Sequence, residues 1–107
     1  MKEEVKIQIE RLKGRIVRDY NPEKIILFGS LTRGDYHELS DIDIVIIKKT
    51  KKRFLERIGD VLQLNDTEMR LECFVYTPKE FSKMQEEENS FIEEVLKSGV
   101  VIYEKQA

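Results

Sequence analysis

Between Ile25 and Ile47 the chain reads IILFGSLTRGDYHELSDIDIVII, two apolar runs tied together by a short polar link. The first run ends in Gly29-Ser30 and the second opens with Asp41-Ile42-Asp43. Each run is short and β-prone and reads as a buried strand. The second packs four isoleucines and a valine into the seven residues from Asp41 to Ile47. The link is too short for a full helical crossover, so the two strands cannot be simple parallel neighbours and the sheet is expected to be mixed.

The flanking pattern fills in the rest. Val5, Ile9, Leu12 and Ile16 recur at helical spacing, predicting an amphipathic helix from Lys2 to Asp19 that ends at Asn21-Pro22. Ser30 to Gly34 starts a short helical turn, and Tyr36 to Ser40 reads as a polar loop. Phe54, Ile58, Val61 and Leu62 mark a helix from about Lys51 to Leu64, and Met69 to Tyr76 reads as a third strand. Thr77-Pro78-Lys79-Glu80 is a capping box with proline at the first helical position, and Ser90-Phe91-Ile92-Glu93 reads as a second box. Gly99 stops the last helix, and Val100 to Tyr103 reads as a terminal strand. The order is αβ(α)βαβααβ. It predicts an α/β fold, a small mixed sheet packed by helices, in a single domain spanning residues 1–107.

A chain of 107 residues buries one modest core and leaves little room for a second, substrate-binding domain. Hydrophobic residues make up 40% and charged residues 37%, the balance of a folded, highly charged protein. The net charge of −2 offers no general attraction to nucleic acid, and direct nucleic-acid binding is not expected. No apolar stretch is long enough for a membrane helix, and the N-terminus lacks a signal-peptide core, so the expected location is the cytoplasm. Cys73, the only cysteine, has no disulfide partner within the chain.

Chemistry concentrates at the ends of the two apolar runs. Side chains alternate along a strand, so Asp41 and Asp43 point to one side with Cα atoms roughly 6–7 Å apart. Two carboxylates that close repel, and a hard divalent cation such as Mg2+ resolves the conflict. Gly29 allows close backbone approach to an anion, Ser30 offers a hydroxyl and N–H groups at a helix start, and Arg33 lies one turn on. Alone, a Gly-Ser turn or an Asp-x-Asp is a common surface feature. Together, each at the end of a strand, they suit phosphoryl or nucleotidyl transfer. No GxxxxGK[ST] is present, which argues against a Walker-type NTPase.

The segment GSLTRGDYHELSDIDIVI closely resembles the GSxxRG…SDxD signature of the polymerase beta-like nucleotidyltransferase superfamily. The small size and the YTPKEF and NSFIEEVLKSGVVIYE segments resemble its minimal nucleotidyltransferase branch, MntA-type antitoxins of HEPN/MNT pairs. The resemblance implies that Gly29 and Ser30 hold the triphosphate of ATP and that Asp41 and Asp43 bind Mg2+, with two ions expected; Arg33 joins the nucleotide-binding candidates as a cation able to pair with phosphate or with an acidic neighbour. The resemblance also implies a third acid on a later strand. Glu72, an isolated acid in MRLECFVYT, is the candidate, as a metal ligand and as a base for the acceptor hydroxyl; the competing reading is an edge-strand carboxylate in water. The implied activity is adenylyl transfer to a HEPN-domain partner, in a hetero-oligomer. The alternatives are a non-catalytic module that neutralises such a partner by contact, and transfer to a small molecule. His37, the basic run Lys48, Lys49, Lys51, Lys52 and Arg53, and Glu86-Glu87-Glu88 read as solvated surface. Cys73, Tyr76, Phe81 and Phe91 read as packing.

Overall fold

A computed structural model describes residues 1–34 and 40–106. The elements in order are α1 (Glu3–Tyr20), β1 (Lys24–Phe28), α2 (Ser30–Arg33), β2 (Ile42–Ile47), α3 (Phe54–Leu62), β3 (Leu71–Tyr76), α4 (Pro78–Glu86), α5 (Ser90–Ser98) and β4 (Val100–Glu104). The strands form one sheet in the order β3-β2-β1-β4. β1 runs antiparallel to both β2 and β4, while β2 and β3 are parallel. The sheet is therefore mixed, as the short β1–β2 link requires.

Alternation along β2 separates two apolar clusters. Ile42, Ile44 and Ile46 face one side and pack with Ile25, Leu27, Cys73 and Val75 beneath α1 residues Ile9, Leu12 and Ile16 and α3 residue Val61. Val45 and Ile47 face the other side and pack with Ile26 beneath Phe81 of α4 and Ile92 and Val95 of α5. A register slip of one residue would exchange these sets, so burial on both faces pins β2 in place.

The caps explain where the helices sit. Asn21 takes the left-handed conformation that ends α1 (φ 52°). Thr77 and Glu80 form the expected reciprocal capping box at α4. The second expected box is corrected: Asn89, not Ser90, caps α5, its side-chain oxygen accepting from the Ile92 N–H at 3.1 Å. Asn89 lies one residue upstream of the Ser-x-x-Glu pattern, and its side chain reaches the same class of donor. The strand expected from Met69 begins at Leu71, and the helix expected from Lys51 begins at Phe54. The expected loop at Tyr36 to Ser40, with His37, falls on residues 35–39, apart from Ser40, and so lies outside the described residues.

Arg57 is a charged residue the helical pattern did not mark. It is buried, and its guanidinium donates to the Lys52 carbonyl at 2.8 Å, the Val75 carbonyl at 3.1 Å and the Glu80 carboxylate at 2.7 Å. The same Glu80 accepts from the Thr77 N–H at 2.8 Å, so Arg57 ties α3 to the end of β3 and the start of α4. That bond from Arg57 is the main reason the Glu80 carboxyl is held below its ordinary value of 4.5. Arg57→Ala leaves two carbonyls and a carboxylate without their donor and should lower unfolding free energy by about 3 kcal/mol. A depressed carboxylate contributes fully above its ordinary value and loses that contribution as pH falls through the lowered one. Denaturant titrations should therefore show the difference between wild type and Arg57→Ala narrowing below about pH 4.

Candidate active site

The strand directions bring three chain segments to one edge of the sheet. β2 and β3 are parallel, so their N-terminal ends lie together, and antiparallel β1 delivers its C-terminal end to the same place. In register, Glu72 of β3, Asp43 of β2 and Phe28 of β1 form one row. Cross-strand partners share a face, so all three side chains lie on the side covered by α4 and α5. Asp41 immediately precedes β2, two residues before Asp43, and is directed the same way. One carboxylate oxygen from each of Asp41, Asp43 and Glu72 lies within 4.8 Å of the others.

The two aspartates are half-buried and Glu72 is exposed. β3 is the edge of the sheet, so the reading of Glu72 as an edge-strand acid describes its exposure correctly, yet it also belongs to the cluster. Crowding shows in the protonation of the middle acid. Burial, followed by the charges of Glu72 and Asp41, pushes the Asp43 carboxyl up from 3.8 to about 6, while Arg33 pulls it down. Arg70, at the entrance to β3, places its Nε 3.8 Å from the Asp41 carboxylate. An all-oxygen set of three clustered carboxylates is the donor chemistry that hard divalent cations favour. These residues therefore fit Mg2+, which would relieve the repulsion that now falls on Asp43.

Gly29 is required at this spot for two separate reasons. Its φ of 81° and ψ of −155° lie where L side chains are rare. A Cβ added there would also overlap the Asp43 carboxylate, coming within 3.0 Å of its Cγ. The turn then enters α2, where the Gly29 carbonyl accepts from the N–H groups of Thr32 (3.1 Å) and Arg33 (3.2 Å) and from the Thr32 hydroxyl (2.9 Å). Ser30 is the first residue of that helical turn, whose leading N–H groups have no carbonyl partner inside the helix. The arrangement sets an anion-friendly turn directly beside an acid cluster, which is useful only if a cation stands between anion and acids.

Every site residue read from the sequence gathers here: Gly29, Ser30 and Arg33 from the first turn, Asp41 and Asp43 from β2 and its approach, Glu72 from β3. Arg70 was missed, because an arginine before a strand carries no signal until the parallel pairing of β2 and β3 sets it beside Asp41. Cys73 is buried on the opposite face, and burial pushes its thiol up to about 12, so it is inert packing as expected. Lys48, expected as solvated surface, is instead half-buried and structural, donating to the Tyr20 carbonyl and lying 4.6 Å from the centre of its ring.

The model for the family described as polymerase beta, nucleotidyltransferase matches residues 10–107. Two proposed protein adenylyltransferases of Methanocaldococcus jannaschii are similar in sequence. One is 51% identical over 47 residues, covering 44% of this chain and 41% of that protein. The other is 31% identical over 80 residues, covering 75% of this chain and 78% of that protein. Two crystal structures share the fold. A proposed nucleotidyltransferase from Sulfolobus solfataricus superposes with a TM-score of 0.61 at 24% identity, over 98% of this chain and 90% of that one. A mutant of the toxin–antitoxin MntA-HpeT superposes with a TM-score of 0.55 at 19% identity, over 98% and 76%.

Two outcomes follow from the geometry. Gly29→Ala combines a disfavoured backbone angle with a clash against Asp43. It should cost about 2–4 kcal/mol in thermal or denaturant unfolding. The raised Asp43 value means that the folded, metal-free chain holds a proton the unfolded chain has lost. Its stability should thus fall as pH rises from about 4 to about 6 and level off above. Asp43→Asn should remove this slope and raise metal-free stability at pH 8 by about 1 kcal/mol, after allowance for solvent screening.

Proposed function

This chain belongs to the polymerase beta nucleotidyltransferase family, as a member of its minimal type, and from that premise we propose that it transfers AMP from ATP to a hydroxyl on a partner protein, a HEPN-type toxin. The observation that carries the reading is the convergence of Gly29-Ser30 with Asp41, Asp43 and Glu72 at one sheet edge. Proposed protein adenylyltransferases among the relatives and a toxin–antitoxin protein among the structures of like fold support the acceptor class.

In this proposal Asp41, Asp43 and Glu72 hold Mg2+, which when bound neutralises charge on the phosphates and lowers the pKa of an oxygen bound to it. The turn at Gly29-Ser30 holds the β- and γ-phosphates, with Arg33 adding positive charge beside them. The acceptor hydroxyl approaches from the Glu72 side. Its oxygen bonds to the α-phosphorus as the bond to the bridging oxygen of the pyrophosphate breaks. The proton passes to the Glu72 carboxylate, and pyrophosphate leaves past Ser30. The chemistry is mostly positioning and charge neutralisation, within the capacity of a chain this small. The acceptor pocket itself comes from the other protein.

The test is label transfer from α-labelled ATP with Mg2+ to the protein encoded beside this one. Label should appear on that partner, and Asp41→Ala/Asp43→Ala should reduce it by about three orders of magnitude. Glu72→Gln should slow transfer about a hundredfold while nucleotide affinity changes little. A tight complex that takes no label, and that the double substitution leaves intact, would instead identify a module acting by contact alone.

A further inference from the structure

Beside the acids, on the same face of the sheet, lies a group of aromatic rings. Phe28 is the in-register neighbour of Asp43, and Phe74 lies two residues beyond Glu72 on β3, one row further down. Phe91, in the first turn of α5, joins them. Its ring centre is 5.5 Å from that of Phe28 and 5.2 Å from that of Phe74, both edge-to-face. Three of the chain's five phenylalanines thus meet at one place. Among the described residues the rest of the core is almost wholly aliphatic, with Phe81 its only buried aromatic. Unlike Phe81, these three residues are half-buried: they pack against the cluster of Ile26, Val45, Ile92 and Val95 without being closed off from solvent.

We propose that the Phe28–Phe74–Phe91 cluster is the platform on which the base of the bound nucleoside triphosphate stacks, so that Phe91 is a nucleotide-affinity residue. This rests on the nucleotidyl-transfer reading above and adds the base subsite to it. The row Glu72–Asp43–Phe28, continued by the Gly29 turn, sets the direction of an in-line displacement, with the acceptor at the Glu72 end and the pyrophosphate at the Gly29 end. The ribose must leave the α-phosphorus roughly across that line. On the face that carries the carboxylates, the aromatic group is the apolar neighbour of Asp43 and Glu72. Aromatic rings bind bases by their π-faces and tolerate any base, so the platform supplies affinity and orientation rather than base choice.

Calorimetric titration with ATP and with tripolyphosphate, both in Mg2+, tests this on the full chain. Phe91→Leu keeps an apolar side chain in place but removes the ring. It should weaken ATP binding about tenfold and leave tripolyphosphate within about twofold, while Phe91→Tyr keeps wild-type ATP affinity. Equal effects of Phe91→Leu on both ligands, or on neither, overturn the platform. Wild-type protein that binds neither ligand overturns both the platform and the nucleotidyl-transfer reading, whereas intact tripolyphosphate binding with no ring effect sinks the platform alone. A measurement free of any folding defect is the nuclear Overhauser effect on ATP-saturated wild-type protein. Contacts from adenine protons to the ring protons of Phe28, Phe74 or Phe91 are expected, and their absence overturns the assignment.

Discussion

Three carboxylates crowded within 4.8 Å are the constraint around which this fold is built. Left alone, such a cluster repels itself, and burial together with the charges of Glu72 and Asp41 displaces the Asp43 carboxyl upward to about 6. What holds the acids together is the apolar burial behind them. Ile42, Ile44 and Ile46 are locked beneath α1, and Val45 and Ile47 beneath α4 and α5, so β2 cannot rotate or slip to relieve Asp43. The adjoining pieces answer the same demand. Gly29 lacks the Cβ that would strike the carboxylate, and Arg33 and Arg70 place positive charge at its flanks.

Mixed strand direction is what makes the cluster possible in so short a chain. In a parallel pair the N-terminal ends of β2 and β3 coincide, which unites Asp41, Asp43 and Glu72. The antiparallel approach of β1 then brings a C-terminal end, and with it a phosphate-type turn, to the same edge. At the far end of the sheet the Arg57–Glu80–Thr77 network joins α3, β3 and α4, so the helices that back the site are cross-linked away from it. Reactive residues occupy one pole, and the packing and charge pairing that fix their geometry fill the rest.

Membership of the polymerase beta nucleotidyltransferase family and the acid geometry support each other, since each comes from a different property of the chain. The matched segment spans 41% of one curated relative and 78% of the other, and the two crystal structures share the fold at 19–24% identity. The acceptor and the nucleotide therefore rest on the proposal, while the nucleotidyltransferase fold does not.

Local chemistry was enough to read the element order and the mixed sheet and to single out Gly29, Ser30, Arg33, Asp41 and Asp43 as candidates, while Glu72 was marked by the resemblance to the nucleotidyltransferase superfamily. Periodicity, turn residues and misplaced acids are properties of neighbouring positions, and they survive without tertiary contacts. The α5 cap was misjudged by one residue because Asn89 and Ser90 offer equivalent oxygens, and only the backbone path chooses between them. Arg57 carries no mark in the helical pattern, and only the tertiary structure closes the distant Val75 carbonyl and Glu80 carboxylate around it, beside the nearby Lys52 carbonyl. Phe91 is packing, as its sequence context suggests, but only the tertiary structure sets it against Phe28 and Phe74 next to the acids. Sequence alone determined which groups the chain carries and which strands carry them. The tertiary structure decided which of those groups meet, because strand register is set by the simultaneous burial of both faces of β2, a condition no single segment can express.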